Sequence, residues 1–276
     1  MALEIVIQLL ETSRHLLRSI PVRKIAGLTL LLSMLGFSAV AQNQNSSSQP
    51  SDATAILAQI GSAFSAGKSV SRIQLSGNAK WYAGGAEDSG SATLTAAASG
   101  AAQMQLSLTE KGVWTESEDD FGTGMICRWA TADGIAHMGD AMNCLKPTVW
   151  FLPSLFLQPG SIPAGVGVLD LGLDAVSSGN YRHLRSQAVL SDMPEQLLSG
   201  SVDASTTDIG FDVSTLLPAV LRYRVHPDNG APVNIQIEIR YSDYRKIDGV
   251  QIPFLVQRYI NGSLQLAIEV TSAQIS

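Results

Sequence analysis

Apolar and polar residues alternate with a period of two over most of the chain after Lys68, which predicts strands with one buried and one wet face. Ile73, Leu75 and Gly77 alternate with Gln74 and Ser76. Leu94, Ala96 and Ala98 alternate with Thr93, Thr95 and Ala97. After a turn at Ser99-Gly100, Met104, Leu106 and Leu108 alternate with Gln105, Ser107 and Thr109, completing a hairpin. Met125–Thr131 and Ile135–Gly139 read as two neighbouring strands, and Tyr181–Leu190 as another. The last third is the clearest. Val233, Ile235, Ile237, Ile239 and Tyr241 share one face, as do Val250, Ile252, Phe254 and Val256, and Leu264, Leu266, Ile268 and Val270. Asn261-Gly262 is a strong two-residue hairpin signal. Pro253 lacks an N–H and is expected at a bulge or an edge. The whole reads as a meander of antiparallel strands.

Three segments break the pattern. Ser51-Asp52 offers a helix cap before Ala53–Ala66, where Ala55, Ile56, Ile60, Ala63 and Phe64 form a helical stripe that Gly67 can end. Glu116–Asp120 with Phe121-Gly122 reads as an exposed connection. Pro147–Gln158 is a short apolar helix or helical turn restarting near Pro153. Residues 159–179 are Gly- and Pro-rich and give no clear element. No repeat of fixed period is visible.

The N-terminal part carries an address. Arg14, Arg18, Arg23 and Lys24 precede an uncharged run, Ile25–Phe37, then Ser38-Ala39-Val40-Ala41. A basic region, an apolar stretch and an Ala-x-Ala site make a signal peptide over residues 1–41, cleaved between Ala41 and Gln42. The alternative is an uncleaved inner-membrane anchor, because Ile25–Ala41 sits at the lower length limit for a bilayer span. No Cys follows the apolar stretch, so no bacterial lipid-attachment site is present. Gln42–Pro50 is polar and low in complexity, a flexible linker. Residues 51–276 are left as a single β-rich domain, periplasmic or secreted.

Composition narrows the function. The chain has 276 residues, a net charge of −6 and only 15% charged residues. An acidic balance argues against nucleic acid as a partner. Residues 1–41 hold four basic and two acidic residues, so their removal leaves 14 basic against 22 acidic, a net of −8. The shortage of charge therefore belongs to the domain. Its wet strand faces are made of Gln, Ser, Thr, Asn and Ala, which removes most groups an enzyme would use.

Two cysteines, Cys127 and Cys144, fall in this domain. An even number in an oxidising compartment reads as a disulfide, tying the strands Met125–Thr131 and Ile135–Gly139 to the segment after them. A redox or metal pair is the weaker reading, since no Cys-x-x-Cys spacing is present.

Other candidate chemistry is sparse. Ser65-Ala66-Gly67-Lys68 matches a Ser-x-x-Lys pattern but lacks the Lys-Thr-Gly that accompanies it. His137, His183 and His226 have no partner at ligand spacing and read as surface or turn residues. Glu116, Glu118, Asp119 and Asp120 form an acidic cluster, better read as a solvated loop than a cation site. Arg222, Arg224 and His226 share a strand face, with Arg240, Arg245 and Lys246 nearby in sequence. They could receive an anionic headgroup, but a plain solvent face is the stronger reading. No catalytic residue, metal site or cofactor is assigned, and the chain is not read as an enzyme.

The segment Trp150–Leu157 concentrates apolar bulk. It either packs into the core or covers an apolar cavity, because a sheet that curves without closing leaves a concave apolar face. Trp150, Phe151, Leu152, Leu155 and Phe156 are the candidate lid or ligand-contacting residues.

Phe211-Asp212-Val213-Ser214-Thr215-Leu216-Leu217-Pro218 and Tyr244-Arg245-Lys246-Ile247-Asp248-Gly249-Val250-Gln251-Ile252-Pro253-Phe254 resemble strand starts and hairpins of the lipoprotein carrier LolA, the acceptor LolB and their relatives. Trp150-Phe151-Leu152-Pro153 also resembles a segment of secreted bacterial proteins that share this ending. The resemblance implies a mainly β fold: a curved, unclosed antiparallel sheet, or half-barrel, with an N-terminal helix and a short apolar lid helix. It implies a binding or carrier module for an apolar or acyl-chain ligand, a lipid or a lipoprotein. The chain would act as a monomer, with peripheral membrane contact. The alternatives are an envelope interaction or sensor protein on the same scaffold and, less favoured, a secreted enzyme with scattered catalytic groups. None of the carrier's functional residues can be placed on this chain.

Overall fold

Among the described residues the alternating segments become thirteen strands of one antiparallel sheet. The computed structural model describes residues 53–119, 126–139, 143–145, 150–158, 162, 166–176, 179–188, 205–227 and 233–276. They belong to one contact unit, Pro50–Ser276. The signal peptide, the cleavage site Ala41–Gln42, the linker and the cap Ser51-Asp52 lie outside the described residues.

The first six strands are β1 (Arg72–Ala83), β2 (Ala86–Ala97), β3 (Ala102–Leu108), β4 (Gly112–Glu118), β5 (Cys127–Ala130) and β6 (Ala136–Met138). The remaining seven are β7 (Val166–Val176), β8 (Gly179–Ala188), β9 (Thr207–Asp212), β10 (Pro218–Val225), β11 (Ile235–Ile247), β12 (Val250–Ile260) and β13 (Ser263–Ile275). Their order across the sheet is β6-β5-β4-β3-β2-β1-β13-β12-β11-β10-β9-β8-β7. Two meanders thus join at the centre through β1 and β13. β6 and β7 are the two edges, so the sheet is not closed. This is the half-barrel that the C-terminal resemblance implies.

This order explains where the apolar segment goes. The chain leaves β6 at one edge and re-enters the sheet as β7 at the other. The connection must cross the sheet, and Trp150–Gln158 lies on that crossing. It holds the one-turn helix α2 (Pro153–Phe156), which starts with Pro153 in the first turn, as its sequence predicts. The N-terminal helix α1 (Ala53–Ser65) packs against α2, β12 and β7.

Helix α1 buries Ile56, Leu57, Ile60 and Phe64. Its stripe is rotated from the expected one: Leu57 turns inward and Ala55 outward. Burying Leu57 removes more apolar area than burying Ala55 would. The helix ends where Ala66 and Gly67 adopt positive φ. In the sheet, Ile73, Leu75, Ala79 and Trp81 of β1 face inward with Ala92, Leu94 and Ala96 of β2 and Met104, Leu106 and Leu108 of β3. Asn261-Gly262 forms the expected tight turn, both residues at positive φ. Pro253 stands beyond the β12–β13 ladder, which begins at Leu255. Its missing N–H therefore costs that ladder nothing.

Two expectations fail. Glu116–Glu118 is not a connection but the end of β4, paired with Cys127–Trp129 of β5. The two glutamates share one strand face, and charge alone made them look like loop. Residues 166–176, within the stretch that gave no element, form edge strand β7. A bulge around Leu171, between Asp170 and Gly172, breaks the alternation there. Among the described residues no helix is long and apolar enough to cross a membrane.

Candidate functional site

On the inner face of the sheet, apolar rows surround one charged group. Val250, Ile252, Phe254 and Val256 of β12 point inward, and the next inward position is Arg258. It is only 5% exposed. Its Nη1 donates to both carboxylate oxygens of Glu116 at 3.0 and 2.9 Å. Its Nε donates to Gln265 Oε1 at 2.8 Å. Burial works against the charge on Arg258, but Glu116 beside it prevails and holds its pKa above the ordinary value.

A bulge places Gln265. Arg258 pairs with Leu266 and Tyr259 with Leu264, leaving Gln265 as the extra residue of β13. Such an insertion re-aims a side chain, here into the interior beside Arg258. Tyr223 on β10 completes the polar group. Burial pushes its phenol well above the ordinary range, while Arg258 pulls the other way.

Aromatic rings frame this centre. The guanidinium lies over Trp150 at 5.1 Å and over Trp81 at 5.9 Å from the ring centroids. Trp81 meets Trp114 at 5.7 Å, Trp114 stacks on Trp129 at 5.5 Å, and Trp129 stacks on His137 at 4.2 Å. An aromatic row thus runs from β1 to the edge strand β6.

Trp150 begins the apolar wedge. Trp150, Phe151, Leu152, Leu155, Phe156 and Leu157 are all buried, Trp150 the least at 8% exposed. Among the described residues the wedge backbone is tied mostly to itself. Leu155 N donates to Leu152 O, Leu157 N donates to Pro153 O, Gln158 Nε2 donates to Leu155 O, and the Tyr241 hydroxyl donates to Trp150 O. Helix α2 has no side-chain cap.

No protein-family model matches the chain. No curated protein matches it either. Solved structures similar to it do exist. A DUF1329 family protein from Desulfovibrio piger shares 10% identity over 83% of this chain and 94% of that one, with a TM-score of 0.48. A putative outer membrane lipoprotein-sorting protein domain from Vibrio parahaemolyticus shares 7% identity over 80% of this chain and 91% of its own, at the same TM-score of 0.48. A LolA superfamily protein from Nitrosomonas europaea shares 10% identity over 81% and 93%, again at 0.48. At these identities and TM-scores below 0.5, the likeness assigns neither family nor role to this chain.

Cys127 of β5 and Cys144 of a short 3₁₀ turn form the expected disulfide. Next to it, the Asn143 side chain donates to His226 O at 2.7 Å and accepts from His226 N at 2.6 Å. The disulfide therefore anchors a clamp between the segment after β6 and the end of β10.

The remaining candidates separate. Ser65 Oγ donates to Gly61 O and Lys68 O, and Lys68 Nζ donates to Asp248 O, so they make no catalytic pair. His137 is exposed on β6, whereas His183 is buried on β8, not at a surface or turn. It stands opposite Gly210 on the face of the sheet that carries Arg185 and Asp208, and the missing side chain of Gly210 lets Val220 and Tyr181 close over it. Arg222 and Arg240 both bind Glu238, at 2.8 and 2.7 Å, and Arg245 binds Asp243 at 2.6 Å. These arginines are therefore matched by carboxylates. Glu116 leaves the expected acidic cluster to join Arg258. Among the described residues no group of three His, Cys, Asp or Glu is placed to hold a metal ion.

Sequence reasoning missed Arg258, Gln265 and Tyr223, and read Glu116 as part of a solvated acidic loop. Arg258 had a signal: it continues the inward register of Val250 to Val256. Gln265 had none, because its placement depends on a bulge.

Proposed function

We propose that this chain is a periplasmic or secreted binding module that holds an apolar, acyl-chain ligand between the inner sheet face and the two helices. The observation that carries the reading is the wedge Trp150–Leu157. It buries a run of large apolar side chains against the sheet, yet among the described residues a single uncapped turn, bonds within the segment and one bond from Tyr241 hold it. Non-directional apolar contact is what an acyl chain can replace without leaving hydrogen bonds unmade. Trp150, Phe151, Leu152, Leu155 and Phe156 act as an exchangeable lid: they fill the space in the free protein and move aside for ligand.

The address over residues 1–41 and the disulfide both support an oxidising compartment outside the cytoplasm. In this reading residues 42–50 are the linker and 51–276 the carrier domain. No catalytic role is proposed.

The test is titration with an environment-sensitive fluorescent fatty acid. Saturable binding with a blue shift, reversed by unlabelled fatty acid, is expected. A flat titration would sink the reading.

One observation favours the interaction or sensor alternative. Leu169, Leu171 and Leu173 are exposed on edge strand β7, Leu173 at 74%. Leu169 and Leu173 fall on opposite faces because of the bulge between Asp170 and Gly172, and an edge strand with exposed apolar side chains suits contact with another protein.

A further inference from the structure

Arg258 has three nitrogens and uses two of them. Its Nη2 is buried and has no hydrogen-bond partner among the described residues. The same holds for Gln265 Nε2, at the other end of the amide whose oxygen accepts from Arg258. Arg258 is 5% exposed and Gln265 6%. A buried donor left unpaired is costly, so two on bonded neighbours need a reason. The bulge at Tyr259 supplies part of it: Gln265 is brought inward by an irregularity that plain strand pairing would have avoided.

The guanidinium lies against the Trp150 ring that begins the apolar wedge, and Gln265 is bonded to that guanidinium. A ligand that displaces the wedge would bring its polar end to an apolar wall with two N–H groups in reach. The charge count selects which polar end. Arg258 is already matched by the bidentate contact to Glu116. A carboxylate or phosphate would be a second buried anion on one cation, with a desolvation cost that nothing else offsets. A neutral carbonyl brings acceptor lone pairs without charge.

We propose that Arg258 Nη2 and Gln265 Nε2 form a receptor for an uncharged carbonyl oxygen, so the ligand is an acyl ester and not a free acid or a plain hydrocarbon. This rests on the acyl-chain reading above and names its headgroup.

The experiment measures displacement of a fluorescent acyl probe from the full chain by methyl dodecanoate, dodecanoic acid and dodecane. The ester is expected to compete at least about tenfold better than the alkane, as one hydrogen bond from a charged guanidinium would give. It should also compete better than the acid. Gln265→Glu keeps an acceptor for Arg258 Nε and offers its second oxygen to Nη2, occupying the receptor. This variant should have a melting temperature below that of the parent, because the second buried anion it adds beside Arg258 carries the same desolvation cost that disfavours a bound acid. It should bind ester no better than alkane, with alkane binding unchanged. Gln265→Leu should lose the same preference. Equal competition by ester and alkane, tighter binding of the acid, or an ester preference that survives both substitutions would overturn the receptor while leaving the acyl-chain reading intact. Failure of all three compounds to displace probe, or of the probe to bind, would overturn both.

Discussion

Arg258 on β12 and Glu116 on β4 are five strand positions apart in the sheet, yet their side chains meet at 2.9 Å. Five intervals along a flat sheet span roughly 24 Å. That is more than the two side chains can reach together. The pair therefore lies across the hollow of the sheet, and its short distance measures how far the sheet curls. The same curl brings Trp81 and Trp114, three positions apart, into ring contact.

A pair of this kind is hard to break from one side. Glu116→Gln leaves a buried guanidinium uncompensated and should cost about 3–5 kcal/mol by urea denaturation. Replacing both partners with apolar residues, as in Arg258→Met with Glu116→Leu, should cost clearly less than either single change. A double mutant no more stable than the singles would remove the pair from the account of the fold.

The disulfide acts through its neighbour. Cys144→Ser should lower stability by about 3 kcal/mol, the chain-entropy value for a loop of 17 residues. Asn143 loses its anchor at the same time. Hydrogen exchange at the His226 amide, which donates to Asn143, should rise more than at Tyr223 or Arg224. Equal protection at all three amides would separate the clamp from the disulfide.

Glycine makes the tight part of the curl possible. A Cβ on Gly90 would stand 1.9 Å from Ser107 O, and one on Gly77 2.2 Å from Glu269 O. Neither oxygen can move without shifting its strand. Gly90→Ala should destabilise by about 1–3 kcal/mol, measured by the same urea titration. An unchanged midpoint would show that the strands separate more freely than their packing suggests.

Acid should weaken the face of β10 and β11. Burial alone would raise the pKa of Glu238, but the hydrogen bonds from Arg222 and Arg240 outweigh it and hold it below the ordinary carboxylate value. A depressed folded pKa gives stability that is present above the unfolded value, near pH 4.3, and lost as pH falls through the folded one. Glu238→Gln should therefore lose up to about 1 kcal/mol at pH 7, a modest amount for a half-exposed pair. Parent and variant should converge as the pH drops below 4. Curves that stay parallel through this range would show that the pair contributes no pH dependence.

Much of the architecture was legible because it depends on local pattern. The alternation in β1, β3 and β11 to β13, the Asn261-Gly262 turn, the helix ending at Gly67 and the helical turn at Pro153 are set by residues close in sequence. β7 was hidden because Gly167, Gly172 and the bulge near Leu171 interrupt its period. β4 was half hidden because its inward residues, Glu116 and Glu118, are charged. An inward glutamate makes sense only beside a partner 142 residues away, and no local reading supplies that distance. Arg258 could have been found by following the register of β12 past Val256. The role of Gln265 could not, since a bulge moves one side chain without a signature in composition. The apolar wedge was visible as bulk, but its place over the sheet follows from a strand order that takes the chain from one edge to the other.

The central claim is that this hollow holds an acyl ligand under the Trp150–Leu157 wedge. Native mass spectrometry of the protein purified from the envelope of its host, without detergent exchange, tests it most directly. The expected spectrum shows a discrete adduct on the folded protein that organic extraction releases as an acyl lipid. It should be absent from a Leu155→Glu variant that still folds. Parent protein that carries no adduct, and takes up none from added lipid vesicles, would contradict the claim.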